Sequence, residues 1–213
     1  MGKLTWGAVR RSAIAASALL LGACGLRGVA PAQAQSAKPE PAPVVIYRID
    51  DHRYFEVTPR NDCYGDMIYF VDTAKGIRSS VVKFDPVMNR TKLIIDAAND
   101  DYLIGPVTRG GNTNCSSGGG ACGSDKMPYS TDGGQTWQLA AHPGWGDDLM
   151  LSGPNAYHSY VNQARITTTL DLSTSPTTRN ANWRYLPGFA FSPRKLPADT
   201  TVVCKAAVQG SFQ

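Results

Sequence analysis

Histidine, charge and catalytic signatures are all scarce in this sequence. Its three histidines, His52, His142 and His158, are far apart, and no C-x-x-C pair accompanies them. That spacing argues against a zinc site. No G-x-S-x-G elbow, H-E-x-x-H pair or P-loop occurs, so the common hydrolase, zincin and nucleotide-binding signals are missing. Scattered serines and histidines compose no triad. The acidic pairs Asp100-Asp101 and Asp147-Asp148 lack the D-x-[DN]-x-[DN]-G spacing of a calcium loop and read as solvated turns. Charged residues are 18 % of the chain, and the positive balance is thin. Lys3, Arg10 and Arg11 fall within the first 23 residues, which hold no acid. Without them the 21 Lys+Arg become 18 against 17 Asp+Glu, a net of +1. Nucleic-acid binding needs clustered, uncompensated cations, so the composition speaks against such a partner. The expectation is a non-enzyme with no cofactor and no metal.

What the chain does have begins with an export signal over residues 1–23. Three positive residues precede an apolar run from Ala13 to Leu21. That run is about half of the ~20 residues needed to span a bilayer. Leu21-Gly22-Ala23-Cys24 is similar to a bacterial lipobox, in which Cys24 would receive lipid. Ala32-Gln33-Ala34 fits the A-x-A pattern of ordinary signal peptidase and competes with it. The lipobox is favoured because it directly follows the apolar run. Gly25, rather than Asp, follows the cysteine, which points to the outer membrane, facing the periplasm. Acyl chains contribute roughly 0.8 kcal/mol per buried CH₂, so a triacylated cysteine would anchor stably. Residues 24–43, rich in Ala, Pro and Gln, read as a tether.

An exported chain with five cysteines asks for an explanation of the odd one. Assigning Cys24 to lipid leaves Cys63, Cys115, Cys122 and Cys204, which can pair in three ways. Cys115 and Cys122 enclose the flexible Ser-Ser-Gly-Gly-Gly-Ala, so the favoured set joins them and joins Cys63 to Cys204. The second bridge would tie the domain's start to its end, toward the upper part of the usual ~2–4 kcal/mol for a disulfide. Four free buried thiols are the alternative.

Residues 44–213 suffice for one domain with a sizeable core. Helical periodicity is rare there and strand signals are common. Predicted strands cover 44–49, 53–57, 66–72, 80–84, 92–95, 102–104, 136–139, 166–170, 183–186 and 200–204. With 21 glycines and 14 prolines in the chain marking turns, the fold class is all-β. The sheets should be mainly antiparallel, sandwich-like or partial-propeller-like, with long loops. One or two short helices are expected, around 73–79 or 95–102. The segment 105–125 holds seven glycines and reads as a long loop. A second loop, 141–160, carries Trp145, Asp147, Asp148, Tyr157, His158 and Tyr160. Aromatic side chains in a polar loop are favoured contact anchors, so these six are the candidate partner-binding residues.

Ser130-Thr131-Asp132-Gly133-Gly134-Gln135-Thr136-Trp137 is similar to the Asp-box, S-x-D-x-G-x-T-W, of sialidases and other β-propeller proteins. Asp132 can accept from backbone N–H groups of the turn, and Gly134 can take positive φ. Ser130 and Thr136 flank the turn, and Trp137 can pack beneath the hairpin. This pattern specifies a hairpin and not a chemistry. Tyr47-Arg48-Ile49-Asp50 resembles the sialidase strand that supplies a carboxylate-binding arginine. Asp50 replaces its proline, however, and six blades of roughly 40 residues do not fit here. Arg48 is expected instead to pair with Asp50, Asp51 or Glu56.

VVIYRIDDHRYFEV followed by NDCYGDMIYFVDTAKGIRS resembles the start of the third class of lipase-immunity (Tli) proteins of bacterial type VI secretion. The shared features are a Tyr-Arg-Ile-Asp strand, a Cys-Tyr pair, an aromatic strand and the Asp72-to-Ile77 turn. The likeness is clear over residues 44–85 and loose beyond. It implies an envelope lipoprotein that binds and neutralises a phospholipase effector, touching the membrane only through its lipid. The 105–125 and 141–160 loops would then form the contact surface. An envelope lipoprotein with a glycan-binding Asp-box module, using Trp145 or Trp183, is the alternative.

Overall fold

Antiparallel hairpins dominate the computed structural model, which describes residues 41–58, 67–83, 92–107, 126–143, 148–159 and 167–203. All of them belong to the unit Pro39–Gln213. The first sheet is a meander of β1 (Val44–Arg48), β2 (Arg53–Val57), β3 (Met67–Asp72) and β4 (Ile77–Lys83). The second has β6 (Leu103–Ile104), β7 (Lys126–Ser130) and β8 (Gln138–Ala141). The third runs β12–β11–β10–β9–β5, comprising Arg184–Tyr185, Thr167–Asp171, Asn155–Ser159, Asp148–Ser152 and Leu93–Ile95. Its β5–β9 pair is parallel and its other pairs are antiparallel. The chain is all-β, as its turn-punctuated β-branched and aromatic runs predict.

The turns follow from single aspartates. Asp50 Oδ1 accepts from the amides of His52 (3.1 Å) and Arg53 (2.8 Å), turning β1 into β2. Asp72 Oδ1 does the same for Ala74 (3.0 Å) and Lys75 (3.1 Å), turning β3 into β4. Asp96 Oδ1 accepts from Ala98 at 3.0 Å. Such side-chain turns compete with helix for the same amides. The two segments expected to hold short helices, 73–79 and 95–102, therefore hold turns. The helical piece among the described residues is a single 3-10 turn, Leu172–Thr174, capped by Asp171.

Three strands were not predicted. β9 and β10 lie inside the segment read as a loop, and β7 contains Pro128. Proline is ordinarily confined to edge strands, yet β7 is the middle strand of its sheet. Gly105 N donates to Pro128 O at 2.8 Å, and Pro128 has no N–H to return. The ladder stops there, which is why β6 pairs only with Tyr129 and Ser130. In the β9–β10 hairpin Gly153 takes φ 54° at the first position of a two-residue connection, a geometry that favours glycine.

Tyr47, Phe55, Ile68 and Phe70 of the first sheet share one buried cluster with Leu103, Ile104, Met127 and Tyr129 of the second. Leu93, Ile95, Leu149 and Leu151 of the third complete it. Rings of Tyr47, Phe55 and Phe70 follow one another at 6.1 and 5.6 Å. The Tyr47 hydroxyl donates to Leu93 O at 2.8 Å, joining the first and third sheets. Of the strand expected over 200–204, the described residues 200–203 hold one bridge, Thr201 with Lys92. Residues 198–203 nevertheless run antiparallel to β1, with Ala198, Asp199 and Val203 amides donating to Ile49, Arg48 and Ile46 carbonyls. Leu93 N donates to Thr200 O on the other side. The C-terminal segment thus lies between β1 and β5 and satisfies polar groups that two bare sheet edges would expose.

Candidate partner-binding site

The Ser130–Trp137 turn is a hydrogen-bonded knot. Ser130 Oγ donates to Asp132 Oδ1 (2.7 Å) and accepts from Gly134 N (2.9 Å). Asp132 accepts from Thr136 N (2.9 Å) and Thr136 Oγ1 (2.6 Å). Burial opposes ionisation of Asp132, but these bonds outweigh it and hold the carboxyl below its ordinary range. Gly134 has φ 88°, and a Cβ there would lie 2.3 Å from the Phe70 ring. Trp137 packs edge-on against Phe55 (5.7 Å), and its Nε1 donates to Ser79 Oγ at 2.9 Å. Gly133 N donates to Asp101 O at 2.8 Å. The turn spends most of its polar groups on itself, and Trp137 with Ser79 joins it to the first sheet.

The predicted contact residues do not gather in a loop. Asp148, Tyr157 and His158 lie in the β9–β10 hairpin. Asp148 Oδ1 accepts from Lys92 N at 3.0 Å, aligning β9 with β5. His158 is fully buried and cannot contact a partner at the surface. It alternates with Tyr157 along β10, and Ala156 and His158 take the inward positions. Its ring stands 4.6 Å from that of buried His142 and 5.9 Å from Trp183. Burial first, and the charge of His142 second, push His158 down to about 3. Trp145, Asp147 and Tyr160 lie outside the described residues, as do Cys24, Cys63, Cys115, Cys122, Cys204 and most of 105–125.

Other expectations change with the packing. Arg48 does not pair with Asp50, Asp51 or Glu56. Its guanidinium lies 5.2 Å over the Tyr54 ring, while Arg53 takes Asp50 (2.6 Å) and Arg78 takes Glu56 (2.9 Å). Trp183 is half-buried against the two histidines, and its Nε1 donates to Ala141 O at 2.9 Å, so its face is not a free stacking platform. His52 resembles a catalytic base in having Nδ1 2.9 Å from buried Asp72. Its Nε2 faces a second carboxylate, Asp50, at 3.6 Å, where a nucleophile would have to stand.

The outer face of the third sheet has a different character. One row across the strands reads Ile94, Met150, Tyr157, Thr169, Arg184. Residues 186–195 cross this face as a strap. Leu186 N donates to Thr167 O at 2.8 Å at one side. Phe189 stacks on Tyr157 at 4.7 Å, nearly parallel, and Phe191 meets the same ring at 5.5 Å. At the far side Arg194 Nε donates to buried Asp96 at 2.7 Å and Lys195 N donates to it at 3.1 Å. Burial opposes ionisation of Asp96, but the Arg194, Ala98 and Lys195 donors outweigh it and lower its carboxyl. The large apolar side chains exposed among the described residues are Tyr185 (60 %), Phe189 (37 %), Leu196 (64 %) and Val203. All four follow residue 184. Nothing in the sequence distinguished the stretch between the predicted strands 183–186 and 200–204, because it has neither strand nor helix periodicity.

The result is a three-sheet β scaffold whose polar groups are used in turns and sheet junctions and whose exposed large apolar side chains, among the described residues, fall between Tyr185 and Val203. The chain belongs to the family described as T6SS Tli3 immunity protein, whose model matches residues 39–169. It is a type VI secretion immunity protein, which binds a cognate effector and is not an enzyme. No curated protein matches the chain significantly.

Proposed function

We propose that this immunity protein is a lipid-anchored protein of the bacterial envelope that neutralises a type VI secreted phospholipase in the periplasm. The family match over residues 39–169 carries the reading. The lipobox-like Leu21-Gly22-Ala23-Cys24 and the Pro/Ala/Gln-rich stretch after it support the anchor. A lipid-anchored inhibitor would meet an incoming phospholipase at the surface that the enzyme attacks. Hydrogen-bonded turns and a buried Arg53 reduce the ordering cost of binding, which favours a tight complex.

The test uses the protein encoded by the adjacent open reading frame. Expressed in the periplasm, that protein should lyse cells and release fatty acid, and co-expression of the present chain should rescue them. Cys24→Ala should abolish palmitate labelling and move the chain to the soluble fraction. Lysis that the chain does not relieve, or an adjacent product without lipase activity, would overturn the target assignment.

A further inference from the structure

We infer that the strap, with the residues that flank it over 184–198, is the surface that docks the effector, and that the matching effector face is acidic around an apolar centre. This inference rests on the immunity reading and adds the location and chemistry of the contact.

Three observations converge on the strap. Its charge is of one sign: residues 184–198 contain Arg184, Arg194 and Lys195 and no Asp or Glu. Arg194 is committed to Asp96, whereas Arg184 and Lys195 are exposed and form no ion pair among the described residues. Its apolar side chains are also exposed, with Phe189 at 37 % and Leu196 at 64 % while most of their class is buried. Exposed aromatic and aliphatic side chains in a segment whose free charges are cations fit an interface in which apolar anchors supply affinity and charges supply steering.

The strap is also held in place before binding. Phe189 and Phe191 rest on Tyr157, Arg194 and Lys195 are fastened to Asp96, and Ala97 N donates to Lys195 O at 2.9 Å. A pre-organised segment loses little conformational freedom on docking. Finally, the strap lies beyond residue 169, where the family match ends. Discrimination between one effector and another is a difference of affinities. A segment outside the shared residues can carry that difference without altering the shared fold. A protein partner is favoured over a lipid surface because the apolar groups sit on an irregular strap and not on one face of an amphipathic helix.

The test measures binding of the adjacent-frame protein to wild type, to R184E/K195E, to F189S/L196S and to the control K83E, which reverses an exposed charge at the end of β4. Urea midpoints close to wild type confirm folding. Charge reversal should weaken binding by at least about tenfold and flatten its salt dependence, through a slower association rate. Loss of both apolar anchors should weaken it by about 100-fold. K83E should bind within about twofold of wild type. Folded strap variants that bind like wild type would overturn the strap assignment while leaving the immunity reading intact. Failure of the wild type itself to bind would overturn the immunity reading. Retention of wild type, but not R184E/K195E, on phosphatidylglycerol vesicles, with effector binding unchanged, would reassign the strap to the membrane and overturn the inference.

Discussion

Replacing His158 with glutamine should change how the stability of this protein responds to mild acid. His158 is buried against His142 and Trp183, and its imidazole is pushed down to about 3 from an ordinary 6.5. In the unfolded chain it takes up a proton near pH 6.5, while in the folded chain it does not until about pH 3. The unfolded state therefore binds more protons throughout that window, and stability falls as the pH falls. One unit of separation is worth about 1.4 kcal/mol. Between pH 7 and pH 5 the proton-uptake term of the unfolded state grows by about 2 kcal/mol, and the folded state has no matching gain. His158→Gln removes this term. At pH 7 the variant should be less stable by about 1–3 kcal/mol, because ring packing is lost. At pH 5 that deficit should shrink by about 2 kcal/mol. Urea melts at both pH values, fitted with a common slope, measure it. Both pH values lie above the range in which the carboxylates Asp50, Asp96 and Asp132 titrate, which matters only below about pH 4. A deficit that is the same at both pH values would refute the claim that His158 stays neutral in the fold.

Other substitutions probe the packing. Gly134→Ala places a methyl 2.3 Å from the Phe70 ring at φ 88° and should cost about 3 kcal/mol or more, read as a drop in urea midpoint. Arg53→Ala leaves Asp50 and the carbonyls of Ala97 and Asn99 without their buried donor. It should cost about 3–5 kcal/mol, and Arg53→Lys should recover only part of this because one ammonium cannot reach all three. Asp96→Asn removes the negative charge and one of the two acceptor oxygens that fasten Arg194 and Lys195, so only one of these bonds can be kept. Amides of residues 186–198 should then exchange faster with solvent while β2 and β3 keep their protection. Asp50, Asp96 and Asp132 all have lowered carboxyl values from the hydrogen bonds that outweigh their burial. Their stabilisation is complete above the ordinary carboxylate range and is lost as the pH falls below about 4 through their folded values. Triple substitution to Asn should flatten the acid limb of a stability profile below pH 4.

Local chemistry was readable wherever neighbours in sequence supply the interaction. β1, β2, β3 and β11 follow β-branched and aromatic runs bounded by turn residues, and the all-β class and the family resemblance came from those same runs. The Ser130–Trp137 turn needs only a serine, an aspartate, two glycines and a threonine within a few residues of one another. The 141–160 segment misled because Leu149-Met150-Leu151 is short and holds no β-branched residue and because His158 looks polar. Its burial is set by alternation along β10, which becomes visible only once β9 and β11 flank it.

The sequence by itself determined that this chain folds into sheets, turns on aspartate and glycine and belongs among type VI immunity proteins. Only the tertiary structure decided what partners those residues find. Arg53 meets the Ala97 and Asn99 carbonyls 44 and 46 residues away, and Arg194 meets Asp96 across 98. The strap over Tyr157 has no periodicity of its own, since its order comes from the sheet beneath it. Propensity and side-chain turns act over a few residues, whereas burial and ion pairing depend on which distant surfaces the fold brings together.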